Sequence, residues 1–530
     1  MPKILSYQEA SLQLTLTEKI GQLFMPAAFI NDSEEEIQAL EQLICENHVG
    51  GLCFFHSRSS AATNFEGKKK VIYNKESFRT LQNLIERYQK KAKHRLLIAI
   101  DAEWGLAMRI ENTPQYPYAI TMGAIQDNTD LVFQVGKNIA HDCKQAGIHY
   151  NLAPVVDINN NSKNPVIGYR SFGEDKINVT TNSLAYLKGM QSEGVIGSIK
   201  HFPGHGDTAT DSHLGLPVIE KSKEELLNNE LHPFRKLIEE GVDSVMVGHL
   251  CVPALSKGKQ IPSSISKDMI KGVLRHELGF KGVVISDALN MHAVSKNYPV
   301  QGELEWLAFD AGNDILCFAE QIAAGIKMIS EKATQAQIEE AFKRVWSLKE
   351  KAIRAEVGSH SDLSEPDQLN TEIAKASITM IQGNKDDIAS FMKNGFIGIT
   401  NHPETERSFL GILGDHHDFR TYSLKAVMGS SLEDIEKEGN ILLSLEPPQV
   451  KPTNNFGFTE DEIHKINELI NTKNVVLYLF GNPYALQLFD YHKAHSTVVA
   501  YQNLKVFQEV AASHFMGSIA AKGKLPVELQ

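Results

Sequence analysis

The chain is predicted to be an α/β protein, with an N-terminal (β/α)8 TIM barrel followed by a smaller α/β sandwich domain. Three observations predict it. Eight apolar, β-branched runs alternate with amphipathic stretches before residue 320, the mark of a parallel sheet covered by helices. A stretch rich in turn formers, Val357-Gly358-Ser359-His360-Ser361-Asp362, then interrupts the pattern. Beyond it a second, shorter strand–helix alternation begins.

The elements follow in order. Thr15-Leu16-Thr17-Glu18 is a capping-box pattern that opens a helix toward Gly21. Strands are expected at 23–29, 51–55, 96–100, 149–156, 194–199, 243–247, 282–286 and 314–318. Helices between them are expected at 76–90, 130–146, 179–192, 223–240 and 267–278. Thr334, with Gln337 as its capping partner, opens a last long helix through Trp346. The expected division is therefore a barrel at 1–356, a linker at 357–372 and a second domain at 373–530. In that domain strands are expected at 377–381, 396–400, 441–445, 475–480 and 497–501, with a helix at 459–470. Phe480-Gly481-Asn482-Pro483-Tyr484 reads as a strand-to-helix turn. It carries no phosphate-binding glycine pattern, so no nucleotide cofactor is expected.

Composition narrows the function classes. Hydrophobic content of 42% and charged content of 22% are those of a soluble globular protein. Lys+Arg 53 against Asp+Glu 65 gives a net charge of −12, which argues against nucleic acid as a partner. No run approaches the roughly 18 apolar residues of a membrane helix. The five cysteines, Cys45, Cys53, Cys143, Cys251 and Cys317, have no metal-binding spacing and read as free thiols. The opening residues lack an apolar signal core. A cytoplasmic location is expected, the alternative being an exported chain whose signal is absent from this sequence.

Chemistry-bearing residues gather at the predicted strand ends, where a barrel of this kind keeps its active site. Asp101, Glu103, Trp104 and Arg109 follow the third strand, and Asp157 and Arg170 the fourth. Lys200-His201-Phe202-Pro203-Gly204-His205-Gly206-Asp207 leaves the fifth and runs on to Asp211-Ser212-His213. His249 ends the sixth and Asp287 the seventh, with Met291 just beyond. Together they predict a pocket for a polar substrate.

Asp287 fits two roles: an N-cap for a helix starting near Leu289, or a carboxylate nucleophile that forms a covalent glycosyl ester. Such a nucleophile needs a partner to protonate the leaving oxygen and then deprotonate water. His213 suits that partner, with Asp211 holding its tautomer; the alternative for Asp211-Ser212-His213 is a plain polar turn. A metal site built from His201, His205, Asp211 and His213 is disfavoured, because Pro203-Gly204 keeps the i,i+4 histidines off one helix face. No metal is expected.

The stretch from Lys200 to Asp207, Asp211-Ser212-His213 and Ser286-Asp287-Ala288-Leu289-Asn290-Met291 resemble the β-N-acetylglucosaminidase branch of glycoside hydrolase family 3. So do Ala153-Pro154-Val155-Val156-Asp157 and the stretch from Asn164 to Gly173. The resemblance covers the whole barrel and extends less distinctively over the second domain. It implies that Asp287 is the nucleophile, His213 the acid/base and Asp211 its partner. It further implies that Asp101, Arg109, Arg170, Lys200 and His201 hold a non-reducing N-acetylglucosamine, with Trp104, Asp157, His249 and Met291 as further pocket candidates. The implied substrate is a muropeptide or related oligosaccharide from peptidoglycan recycling, with no cofactor. The chain departs from many relatives at Ala102 and Trp104, where those carry Gln and Gly. A bulky Trp104 would reshape the rim or stack on a sugar face. The alternatives are a glycoside phosphorylase using the same residues, a β-glucosidase-like member, and a sugar-binding protein without catalysis.

Overall fold

The computed structural model describes residues 4–56, 73–208, 215–355, 362–402, 405, 407–429 and 439–529. Asp211 and His213 thus lie outside the described residues. Contacts divide the chain into two compact units, the first built from 1–116, 132–158 and 183–365, the second from 117–131, 159–182 and 366–530.

The first unit is an eight-stranded parallel barrel. Its strands are β1 (Phe24–Met25, continuing as Ala27–Phe29), β2 (Gly51–Phe55), β3 (Leu97–Ile100), β4 (Tyr150–Asn151), β5 (Ile196–Phe202), β6 (Ser244–Val247), β7 (Val283–Ser286) and β8 (Leu316–Cys317). Each coincides with a predicted run, and β5 continues past residue 199 to Phe202. Pairing is parallel throughout, through Ala27↔Cys53, Cys53↔Ala99, Ala99↔Tyr150, Tyr150↔Ile196, Ser198↔Ser244 and Ser244↔Val283. The ring closes where Ile285 bridges Ile315 and Phe24 pairs with Leu316. Strands β3, β5, β6 and β7 are buried along their whole length. That is why they read as continuous apolar runs rather than alternating ones. The few polar groups inside are matched: Tyr150 Oη and Ser198 Oγ both bond Ser244 Oγ.

Helices wrap this unit as the periodicity predicts. The capping boxes at Thr15/Glu18 and Thr334/Gln337 form in full. One helix differs. The stretch expected at 223–240 is split into Lys223–Asn228 and His232–Glu239. Pro233 has no N–H to donate, so it is accommodated in the first turn of a new helix and not in the middle of an old one. The helix expected at 267–278 spans Asp268–Glu277 with π-type hydrogen bonding.

The second unit holds a six-stranded sheet: β9 (Thr379–Gln382), β10 (Ile397–Thr400), β11 (Thr421–Ser423), β12 (Asn440–Leu445), β13 (Asn474–Leu479) and β14 (Ser496–Val499). Its order is β9-β14-β13-β12-β10-β11, with β9 antiparallel and the rest parallel. The sequence reading placed residues 117–131 and 159–182 in the barrel, whereas contacts assign both to this unit. The cause is hydrogen bonding: Tyr484 Oη meets Asn159 and Glu174, Gln502 Nε2 donates to Thr121 Oγ1, and Glu174 N donates to Pro526 O. Within the expected linker, residues 357–361 lie outside the described residues, while residues 367–372 begin the helix Asp367–Ser377.

Candidate active site

The polar residues of the first unit converge beyond the C-terminal ends of its strands. After β3 the chain stays extended, so Asp101 and Glu103 project to one side. Ala102 between them is locked to β4: its N–H donates to Asn151 Oδ1 at 3.0 Å, and Asn151 Nδ2 donates to its carbonyl at 3.1 Å. Lys200, from β5, places Nζ 2.8 Å from both Asp101 Oδ1 and Glu103 Oε1. Arg109 Nη2 lies 3.1 Å from Asp101 Oδ2, and its guanidinium sits 3.6 Å above the Phe55 ring. Burial would raise the Asp101 carboxyl, but the Lys200 and Arg109 charges outweigh it and hold the group below its ordinary range. Arg109 reaches this place because the chain turns sharply at Gly105, whose φ is +103° and whose Cβ, if present, would sit 2.6 Å from Pro114 O. Trp104, just before that turn, is partly exposed.

A second cluster lies alongside. Asp157 is fully buried and accepts from His201 N (3.1 Å), His201 Nδ1 (2.7 Å) and His205 N (2.8 Å). Burial pushes its carboxyl up, and His201 more than offsets this, leaving it lowered. His205 packs edge-on against His201 with ring centroids 5.8 Å apart, and its Nδ1 bonds Thr208 Oγ1 at 2.8 Å. Burial first, then the neighbouring His201, hold His205 down to about 4, so its ring is neutral at pH 7. The Asp157 and Asp287 charges act on it in the opposite sense.

Asp287 follows the last residue of β7. Its N–H donates to Val247 O at 2.9 Å, continuing the β6–β7 ladder, and its Oδ1 accepts from Ala288 N at 2.8 Å. It caps no helix: the next one, His292–Ser295, begins after Met291. His249 steadies the turn, donating from Nε2 to Ala288 O at 2.9 Å while Nδ1 bonds Ser264 Oγ at 2.7 Å. A carboxylate held at the end of a buried strand is chemically able to act as a nucleophile toward an electrophilic carbon.

The expected residues thus sort into groups. Asp101, Arg109 and Lys200 meet directly, and His201 and Asp157 form the adjoining pair. Asp157 and His249, expected in the pocket wall, are buried with their polar ends used inside the protein, which suits positioning. Met291 is also buried. Arg170 belongs to the second unit, where its Nη1 donates to Val166 O at 3.1 Å. Glu103 is expected only as one of the rim residues and His205 only in the disfavoured metal set; in the structure Glu103 pairs with Lys200 and His205 packs on His201. The i,i+2 spacing of Asp101 and Glu103 on an extended segment was the available signal for the first. Among the described residues no cluster of His, Cys, Asp or Glu is arranged to hold a metal ion.

The model of the glycosyl hydrolase family 3 N terminal domain matches residues 15–348, more than half of the chain. The chain belongs to glycosyl hydrolase family 3. Among its family-3 relatives is beta-hexosaminidase A of Pseudoalteromonas piscicida, 30% identical over 406 residues that make up 70% of this chain and 65% of that protein. The chain therefore spans just under two thirds of that relative's length. A solved family-3 beta-N-acetylglucosaminidase from Paenibacillus sp. str. FPU-7 is 26% identical, covers 98% of this chain and 99% of its own, and superposes with a TM-score of 0.77. A beta-glucoside phosphorylase, 22% identical over 98% of this chain and 95% of its own with a TM-score of 0.81, shares the fold.

Proposed function

We propose that this family-3 chain is a retaining exo-β-N-acetylglucosaminidase that removes non-reducing terminal N-acetylglucosamine from peptidoglycan fragments. The observation that carries this reading is Asp287, a carboxylate anchored at the end of a buried barrel strand. The names of the relatives, a beta-hexosaminidase and a beta-N-acetylglucosaminidase, support the choice of sugar.

In the proposed reaction an Asp287 oxygen attacks the anomeric carbon as the bond to the leaving oxygen breaks. The His213 imidazolium, paired with Asp211, gives that oxygen its proton. The neutral imidazole then takes a proton from water, whose oxygen attacks the same carbon and releases Asp287, so configuration is retained. Asp101, Lys200, Arg109 and His201 hold the sugar's hydroxyls and acetamido group, and Trp104 lines the rim. The proposed setting is the cytoplasm, which the free thiols of Cys53, Cys143, Cys251 and Cys317 support.

The deciding assay compares nitrophenyl β-glycosides of N-acetylglucosamine, glucose and xylose, with and without phosphate. Preferred release from the N-acetylglucosaminide, as free sugar with retained configuration, is expected. Preference for glucose overturns the substrate, and a sugar 1-phosphate as main product overturns hydrolysis. Asp287→Ala is expected to lose turnover by about four orders of magnitude. His213→Ala is expected to lower kcat/KM mainly for substrates with poor leaving groups, because those depend most on proton donation.

A further inference from the structure

Three neighbouring strands of the barrel end in phenylalanines. Phe29 is the last residue of β1, Phe55 the last of β2, and Phe318 follows β8. Because β1 lies between β8 and β2 in the closed ring, these ends stand side by side. The Phe318 ring meets Phe29 and Phe55 edge-on, at interplanar angles of 87° and 85° and centroid separations of 6.4 and 6.0 Å. Phe318 keeps this place with a φ of +52°, a conformation uncommon for a bulky side chain. Packed against Phe318 in this way, Phe55 turns a face to Arg109, whose guanidinium carbon lies 3.6 Å from the ring centroid. Among the described residues the Arg109 side chain makes one hydrogen bond, from Nη2 to Asp101 Oδ2 at 3.1 Å, and its Nε is buried with no acceptor. Its backbone is fixed separately. Arg109 N donates to Leu106 O at 2.8 Å, and two residues on, Glu111 Oε1 bonds His56 Nε2 at 2.6 Å and accepts from Asn74 N at 3.1 Å.

We propose that Phe55, backed by Phe318, is a positioning residue for sugar binding, its ring setting the plane in which Arg109 presents its donors. This rests on the reading of Arg109 as a sugar-holding residue given above. A guanidinium is planar and its N–H donors lie in that plane, so the direction of every donor follows from the tilt of one group. The bond to Asp101 fixes one corner of the plane and not its tilt. A ring face 3.6 Å away fixes the tilt, through close packing and the attraction of the cation to the π-electrons. A donor set oriented before the sugar arrives loses less freedom when it binds. In this role Phe55 need not touch the sugar, and its effect passes through Arg109 alone.

The test replaces the ring. Phe55→Leu and Phe55→Met keep an apolar side chain without an aromatic face, and Phe55→Tyr keeps the face. Sugar binding is read as the inhibition constant of free N-acetylglucosamine against a nitrophenyl N-acetylglucosaminide, alongside kcat and KM. Phe55→Leu is expected to raise the inhibition constant and KM together, by roughly threefold to thirtyfold, with kcat within about twofold. Phe55→Met is expected to do the same, and Phe55→Tyr to stay within about twofold of the wild type. In an Arg109→Ala background, Phe55→Leu is expected to add nothing, because the group it orients is gone. Unchanged binding in both apolar variants, a loss confined to kcat, a failure of Phe55→Tyr to restore binding, or a full further loss in the Arg109→Ala background overturns the proposal. Arg109→Ala alone separates the two ideas. If it leaves the inhibition constant unchanged, the reading of Arg109 fails and takes the proposal with it. If it raises that constant and Phe55→Leu does not, only the role of Phe55 fails.

Discussion

Lys200 carries one positive charge between two carboxylates in a place where its side chain is 2% exposed. A buried charge of this kind is tolerated only because it is matched, and its removal strands the partners. Lys200→Met would leave Asp101 and Glu103 facing each other with Arg109 as the remaining cation on Asp101. The expected result is a loss of about 3–5 kcal/mol of stability, read from the urea midpoint at pH 7. Glu103→Gln keeps the shape and an acceptor for Lys200 while deleting one charge. It is expected to cost far less, and equal losses from the two variants would mean that packing rather than charge matching governs the cluster.

At the scale of the element, the β5 loop depends on Gly204. Its φ is +118°, a conformation L side chains rarely adopt, and a Cβ there would meet Glu230 Cβ at 2.9 Å. Gly204→Ala is expected to cost about 1–3 kcal/mol in thermal unfolding and to weaken turnover, since the same turn leads to His205 and Asp207. An unchanged unfolding midpoint would show that Glu230 gives way. The barrel strands were legible because burial on both faces leaves an unbroken apolar run, as in Val283-Val284-Ile285. Edge strand β11 was not: Thr421–Ser423 is half exposed and short, so no run marks it. The segments at 117–131 and 159–182 escaped for another reason. Their allegiance is set by bonds such as Asn159 to Tyr484, more than 300 residues apart, which no local pattern records. Asp287 was legible as a chemical group at a strand end, while the meeting of Lys200 with Asp101 and Glu103 depends on how β3 and β5 curl around one barrel.

At the scale of the barrel unit, two buried bases make its stability depend on pH over separate ranges. His205 is held down to about 4 from 6.5, chiefly by burial and by His201, against the Asp157 and Asp287 charges. Between those values the unfolded chain binds a proton that the folded one does not, so stability falls as pH drops from about 6.5 to about 4, by about 3 kcal/mol in all. Asp101 and Asp157 act lower down. Their folded values are depressed, so the stability they contribute is present above the usual carboxylate range and is lost as pH falls through their folded values. Lys349 acts on the alkaline side. It is fully buried in the helix Gln335–Arg354, donates to Gln22 Oε1 at 2.6 Å, and is held down to about 7 by burial and by Arg95. The unfolded chain keeps that proton up to about pH 10.5, so stability rises with pH between about 7 and 10.5. Thermal midpoints across pH 4 to 10 separate the two groups. His205→Asn is expected to flatten the profile below pH 6.5 and leave the alkaline limb intact. Lys349→Met is expected to flatten the alkaline limb and to raise the midpoint at pH 7, because an apolar side chain of similar length has no buried amine to desolvate. A variant that shifts the whole curve without changing its slope would show that packing, not protonation, sets the stability at that position.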